Sequence, residues 1–116
     1  MRKINILGTT YKVYLNVPYK KDPSLEGRFG YTSFPNRKIV VAKVNTVPGW
    51  EEVDQEAADD TFAHTVRHEV IHAYLLESGL NASSNPADCW AMNEELVDWF
   101  ALQIPKMIRT FHELGV

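Results

Sequence analysis

The chain has 116 residues, of which 45% are hydrophobic and 23% charged, ordinary values for one globular domain and poor ones for disorder, a collagen-like repeat or a coiled coil. Twelve basic and fifteen acidic residues leave a formal charge of −3, so composition carries no overall basic footprint of a nucleic-acid binder, although it leaves a local patch open. The single cysteine, Cys89, excludes an internal disulfide, the apolar start is too short for a signal peptide, and no run approaches the ~20 apolar residues of a membrane span. A cytoplasmic setting is the simplest expectation.

Ile4 and Ile6, then Tyr11, Val13, Leu15 and Val17, recur with period two, and Gly8, Thr9 and Thr10 lie between them; this predicts a hairpin. The polar stretch from Pro18 to Gly27 reads as a loop. Phe29, Tyr31 and Ser33 alternate with Gly30, Thr32 and Phe34, Pro35-Asn36 suits a turn, and Lys38 to Val44 is rich in β-branched residues, so a second strand pair follows. Pro48-Gly49-Trp50 ends the sheet region.

From about Ala57 the period changes. Phe62, Val66, Val70, Ala73 and Leu76 or Glu77 recur at helical spacing, with Asp59, Asp60 and Thr61 suited to the helix start and Gly79-Leu80 to its end. After a loop from Asn81 to Asn85, Asn85 is the expected cap and Pro86 the first residue of a second helix running to about Gln103. Pro105 must end or kink it, and Lys106 to Glu113 reads as a further helical piece. The expected fold is α+β. One domain, 1–116, has a strand-rich part (1–50) forming a small antiparallel or mixed sheet of about three to four strands, packed on helices over 57–79 and 86–113.

The first helix contains His68-Glu69-Val70-Ile71-His72, an H-E-x-x-H pattern. Helical residues four apart share a face, their Cβ atoms about 5–6 Å apart, so both imidazoles can reach one metal ion. Glu69, beside them, can take a proton from water without being a ligand. Zinc suits such a site, and catalytic zinc uses three protein ligands. The bland reading is two solvent-facing histidines on an ordinary helix. A third ligand is sought on the second helix, where Trp90, Glu94, Val97, Ala101 and Ile104 form a stripe whose other members are apolar. Glu94 is therefore expected to point inward, where a metal would relieve the cost of its charge. Asp98, four residues on, is the candidate acceptor for the second nitrogen of a metal-bound histidine, with a plain surface carboxylate as the equal alternative.

H-E-x-x-H followed by Asn93-Glu94 and then Asp98 resembles the gluzincin metallopeptidases. By position, the resemblance implies zinc ligands His68, His72 and Glu94, general base Glu69, and Asp98 supporting a histidine. A wider likeness runs along most of the chain: the hairpin from Gly30 to Val41, the helix around Arg67 to Tyr74 and the segment Asn93 to Trp99 resemble small zincin-like proteins of phages and prophages. That implies a minimal zincin-like fold in a bacterial host cytoplasm. Leu76 stands where other zincin types add a further histidine.

The remaining features read more plainly. His64, one turn before His68, is expected at the surface of the helix start, with contact to substrate or to a residue behind the site as the alternative; Cys89 is expected as a buried thiol, and Trp90, Trp99 and Phe100 as core; Arg67 and Tyr74 are oxyanion candidates that nothing selects. The leading expectation is a zinc peptidase acting on a peptide or protein substrate, laid along a sheet edge at Lys38 to Lys43. So short a chain predicts a shallow site or a protein partner that completes the cleft. Nucleic acid and membrane are not expected partners. The alternatives are a phage-type interaction protein with a non-catalytic zinc, and a di-iron carboxylate homodimer built from Glu69, His72 and Glu94.

Overall fold

The period-two segments form strands in the computed structural model, which describes residues 1–81 and 89–116. Strands β1 (Arg2–Ile6) and β2 (Thr9–Val17) pair antiparallel. Between them Leu7 and Gly8 both take positive φ, 50° and 92°, as a two-residue hairpin turn of matching twist requires. Asn5 Oδ1 accepts the Gly8 N–H at 2.9 Å and closes the turn. Strands β3 (Gly30–Ser33) and β4 (Lys38–Ala42) form the second antiparallel pair.

The two pairs join through β4, which runs parallel to β2 with Lys12 opposite Lys38 and Val13 opposite Ile39. The strand order is β1-β2-β4-β3, a four-stranded mixed sheet. This corrects the expected substrate edge: Lys38 to Lys43 is interior, and β1 and β3 are the edges. The reason is in its own residues. Ile39, Val40, Val41 and Ala42 are all buried, the run of apolar side chains that a strand covered on both faces demands.

Helix α1 (Gln55–Glu77) covers one face through Phe62, Val66, Val70 and Ala73, packed on Ile6, Tyr11, Val13, Ile39 and Val41. Fully burying a side chain such as Ile39 contributes roughly 1.5–3 kcal/mol. On the opposite face Leu25 and Val47, from the connecting loops, pack on Tyr31, Val40 and Ala42. The cap of α1 is Asp54, whose Oδ1 accepts the Ala57 N–H at 2.9 Å; the helix starts one turn before the expected Asp59-Asp60-Thr61, because Asp54 offers the same chemistry earlier. Its end is as expected. Gly79 has φ 87°, its N–H bonds the Leu76 carbonyl at 3.2 Å, and the Leu80 N–H bonds the Leu75 carbonyl at 3.3 Å. Glu77 is not a packing residue: it accepts from the Tyr11 hydroxyl at 2.8 Å and lies 2.7 Å from Arg37 Nε, tying helix end to sheet.

Helix α2 spans Glu94–Glu113 and is capped by Asn93, whose Oδ1 accepts the Leu96 N–H at 2.8 Å. The expected start at Asn85-Pro86 lies outside the described residues, but a helix continuous from there is ruled out, because Trp90–Met92 forms a 3-10 turn. Trp90 and Trp99 consequently face solvent rather than the core. Pro105 does not end the helix. Lacking an N–H, it leaves the Ala101 carbonyl without its usual partner. The Arg67 side chain of α1 supplies one, Nε donating to that carbonyl at 3.0 Å. Val97 and Ala101, fully buried, complete the contact between the helices. Among the described residues no helix is long and apolar enough to cross a membrane.

Candidate metal centre

The geometry starts from one turn of α1 and the first residue of α2. His68 and His72 share the face of α1 that meets α2. Their Nε2 atoms lie 3.0 Å apart. Glu94 straddles the pair, with Oε2 2.9 Å from His68 Nε2 and Oε1 3.0 Å from His72 Nε2. Ligands about 2.0–2.1 Å from a tetrahedral ion stand about 3.3–3.4 Å apart, so the three donors need to open by only a few tenths of an ångström to hold one.

Neighbours decide the tautomer of each ring. His72 Nδ1 lies 2.7 Å from the Ala91 carbonyl, which can only accept. Nδ1 therefore carries the proton, and in the neutral ring Nε2 presents a lone pair. His68 Nδ1 lies 2.6 Å from Asp98 Oδ1 with the same consequence. Two imidazole lone pairs and a carboxylate thus converge on one point. Such a set is self-repelling alone and is relieved by a proton shared with Glu94 or by a metal cation; an acceptor behind each ring is the ordinary arrangement of histidine ligands.

Asp98 is accordingly half-exposed yet engaged. Burial works to raise its carboxyl, but hydrogen bonds from His68 and His64 outweigh that and hold it below the usual carboxylate range. His64 Nε2 lies 3.2 Å from the same Oδ1. His64, His68 and Asp98 could themselves be read as a metal-binding group. The 2.6 Å between His68 Nδ1 and Asp98 leaves no room for an ion between them, so that trio is a hydrogen-bonded support.

Glu69 is buried, 6% exposed, and is no member of the converging trio. Its Oε2 lies 2.7 Å from the Thr32 hydroxyl of β3, which also lies 2.8 Å from the Glu69 backbone carbonyl. Burial raises its pKa, opposed by the Thr32 hydrogen bond and the nearby His68 and His72. Gly30 permits this closeness: a Cβ there would meet Thr65 Cγ2 at 2.8 Å and the Val40 carbonyl at 2.9 Å. A pocket of about 460 Å³ lies between β3 and the helices, with Gly30, Thr32, His68, Glu69, His72 and Glu94 among its walls.

All five sequence-derived site residues meet here, with one correction. Glu94 does not point inward: its side chain is 65% exposed. It sits in the first turn of α2 rather than mid-helix, so its direction follows from the helix start and not from the apolar stripe. His64 meets Asp98, 3.2 Å away, which is the alternative reading of its one-turn spacing from His68. Two residues were missed for want of any signal. Thr32 and the Ala91 carbonyl gave none, because only folding brings β3 and the turn before α2 to the histidines. Arg67 is committed to Ala101 and Tyr74 is exposed; Cys89 is buried against Leu76 and Ala91 as expected. Among the described residues no fourth His, Cys, Asp or Glu joins the trio. Compared with known proteins, the chain matches no family model, no curated protein and no solved structure.

Proposed function

We propose that the chain is a zinc-dependent hydrolase of peptide bonds, with His68, His72 and Glu94 holding the ion and Glu69 as the base. The observation that carries the reading is the placing of the two rings, each with Nδ1 on an acceptor, Asp98 or the Ala91 carbonyl, and with Nε2 within 3.0 Å of the Glu94 carboxylate. The resemblance to gluzincins supports the assignment of roles. When bound, zinc supplies Lewis-acid chemistry: it polarises a carbonyl and makes water acidic near neutral pH.

The chain's own residues do the rest. Asp98 and the Ala91 carbonyl hold the two rings in orientation. The Thr32 hydroxyl holds Glu69 against the pocket wall. The Glu69 carboxylate takes a proton from the attacking water at a carboxylate oxygen and gives it to the leaving amide nitrogen, so the peptide C–N bond breaks as the new C–O bond forms. Strand β3, beside Glu69, is an edge of the sheet, and an extended peptide laid along it would take its backbone hydrogen bonds. A pocket of this size on a small domain suits a narrow substrate range, or a partner protein that extends the wall.

Elemental mass spectrometry on untagged protein purified without chelator, followed by peptide-library cleavage, tests the reading. About one zinc per chain is expected, with cleavage lost in Glu69→Gln while the zinc stays. Zinc retained without cleavage of any peptide favours the interaction-protein alternative. Two irons per dimer favour the carboxylate-bridged one.

A further inference from the structure

The net charge of −3 conceals a separation of signs. Residues 1–50 contain nine basic and two acidic side chains; residues 51–116 contain three basic and thirteen acidic. The formal charges are +7 and −10, an asymmetry of the kind that accompanies polyanion binding. The four strands hold four basic residues, Arg2, Lys3, Lys12 and Lys38, and no acidic one.

Register sharpens this. Lys3 lies opposite Lys12, and Lys12 lies opposite Lys38, so three lysines form a row across β1, β2 and β4. Their face is set by their neighbours. Tyr11, Val13 and Ile39 turn toward α1, so Lys12 and Lys38 turn to the opposite face of the sheet, away from the metal centre. Like charges directly opposite one another cost stability. Lys38 is partly compensated, its ammonium 5.6 Å from the centre of the Tyr31 ring of β3 and near Asp22, whereas the strands place no acidic residue beside Lys3 and Lys12. One pair along, Tyr14 stands opposite Val40, and Val40 opposite Tyr31. Tyr14 is 36% exposed. Beside it a cleft of about 180 Å³ is lined by Tyr14, Val17, Lys21, Asp22, Lys38 and Val40. Its one acid, Asp22, already accepts the Tyr31 hydroxyl at 2.7 Å and the Ser24 N–H at 2.9 Å.

We infer that this face binds single-stranded nucleic acid, the lysine row taking backbone phosphates and Tyr14 stacking a base over the cleft. A row of cations beside an exposed aromatic ring and an apolar floor is what a nucleotide unit needs, and its tolerance of sequence follows from stacking. An acidic peptide would use the lysines and leave Tyr14 without a purpose. The site is separate from the metal centre and independent of its chemistry.

Fluorescence anisotropy with labelled oligo-dT and oligo-U of about twelve bases tests it, the two oligomers distinguishing DNA from RNA as the source. Three phosphate contacts predict binding that weakens roughly 10–30-fold between 50 and 200 mM salt. Replacing Lys3, Lys12 and Lys38 together by alanine should remove most of that salt dependence, and replacing them by arginine should retain binding. Tyr14→Leu should weaken binding about five- to hundredfold while Tyr14→Phe retains it. Circular dichroism checks that each variant is folded. No anisotropy change with either oligomer at 50 mM salt overturns the inference. So does equal competition by poly-glutamate with no effect of Tyr14→Leu, which would assign the face to an acidic protein.

Discussion

The two faces of the sheet are built from the same alternating strands, yet they carry opposite chemistry. The face under α1 is sealed by Ile6, Tyr11, Val13, Ile39 and Val41, and the candidate metal centre sits at its margin, where β3 meets the helices. The other face is covered by loops around Leu25 and Val47 only over β3 and β4, and leaves Lys3, Lys12 and Tyr14 to solvent. The difference shows how a sheet can separate two kinds of charge. Donors placed so that they could hold a cation gather where acidic helices meet, and the lysine row stands on the far side of the β-sheet.

Breaking the first region should have the largest consequence. His72→Ala removes a proposed ligand and orphans the Ala91 carbonyl. Zinc affinity should fall by more than about a hundredfold, exceeding the loss typical of a supporting residue, and a fluorescent zinc-chelator competition measures it. If zinc binding survives, the trio is not the site. Gly30→Ala should come next. The added Cβ has no space against Thr65 and the Val40 carbonyl, so about 1–3 kcal/mol of stability should be lost in urea unfolding, with the β3 edge and Glu69 displaced. Asp98→Asn tests the support behind His68. Metal affinity should drop about 10–100-fold, with urea stability of the metal-free protein nearly unchanged because Asp98 is half exposed.

The smallest effects belong to the second region. Lys12→Ala relieves a like-charge row, so its melting temperature should equal or slightly exceed wild type; a clear fall would mean that the row is compensated. Asp22 gives a pH dependence of known sign. The Tyr31 hydroxyl holds its carboxyl below the ordinary range, so its contribution is present above the unfolded pKa of about 3.9 and is lost as pH falls through the lower folded value. Between about pH 4 and pH 2 wild type should lose melting temperature slightly more steeply than Asp22→Asn. Equal slopes would show that the bond does not persist in solution.

Much of this was legible in the chain. Period-two spacing located β1, β2 and β3 and helical spacing located α1, because side-chain direction is a local property of the backbone, while β4 was legible from its run of β-branched residues. Gly79-Leu80 ended α1 where the bond pattern of a left-handed cap requires, and the H-E-x-x-H spacing put two imidazoles on one face for the same local reason. The identities of Glu94 and Asp98 as partners followed from their distance along a helix, although the argument for Glu94 used a stripe that begins before that helix does.

What the residues could not decide was which elements meet. The place of β4 between β2 and β3 depends on a crossover pairing between distant segments, and that made an interior strand of the expected edge. The tautomers of His68 and His72 depend on an acceptor 30 residues away for one and 19 for the other, and the grip on Glu69 on a hydroxyl 37 residues back. The lysine row exists only once two registers are set. Local sequence determined the type of each element and the direction of its side chains. Tertiary structure determined the neighbours, because hydrogen bonds and charge act across space and carry no trace in spacing along the chain.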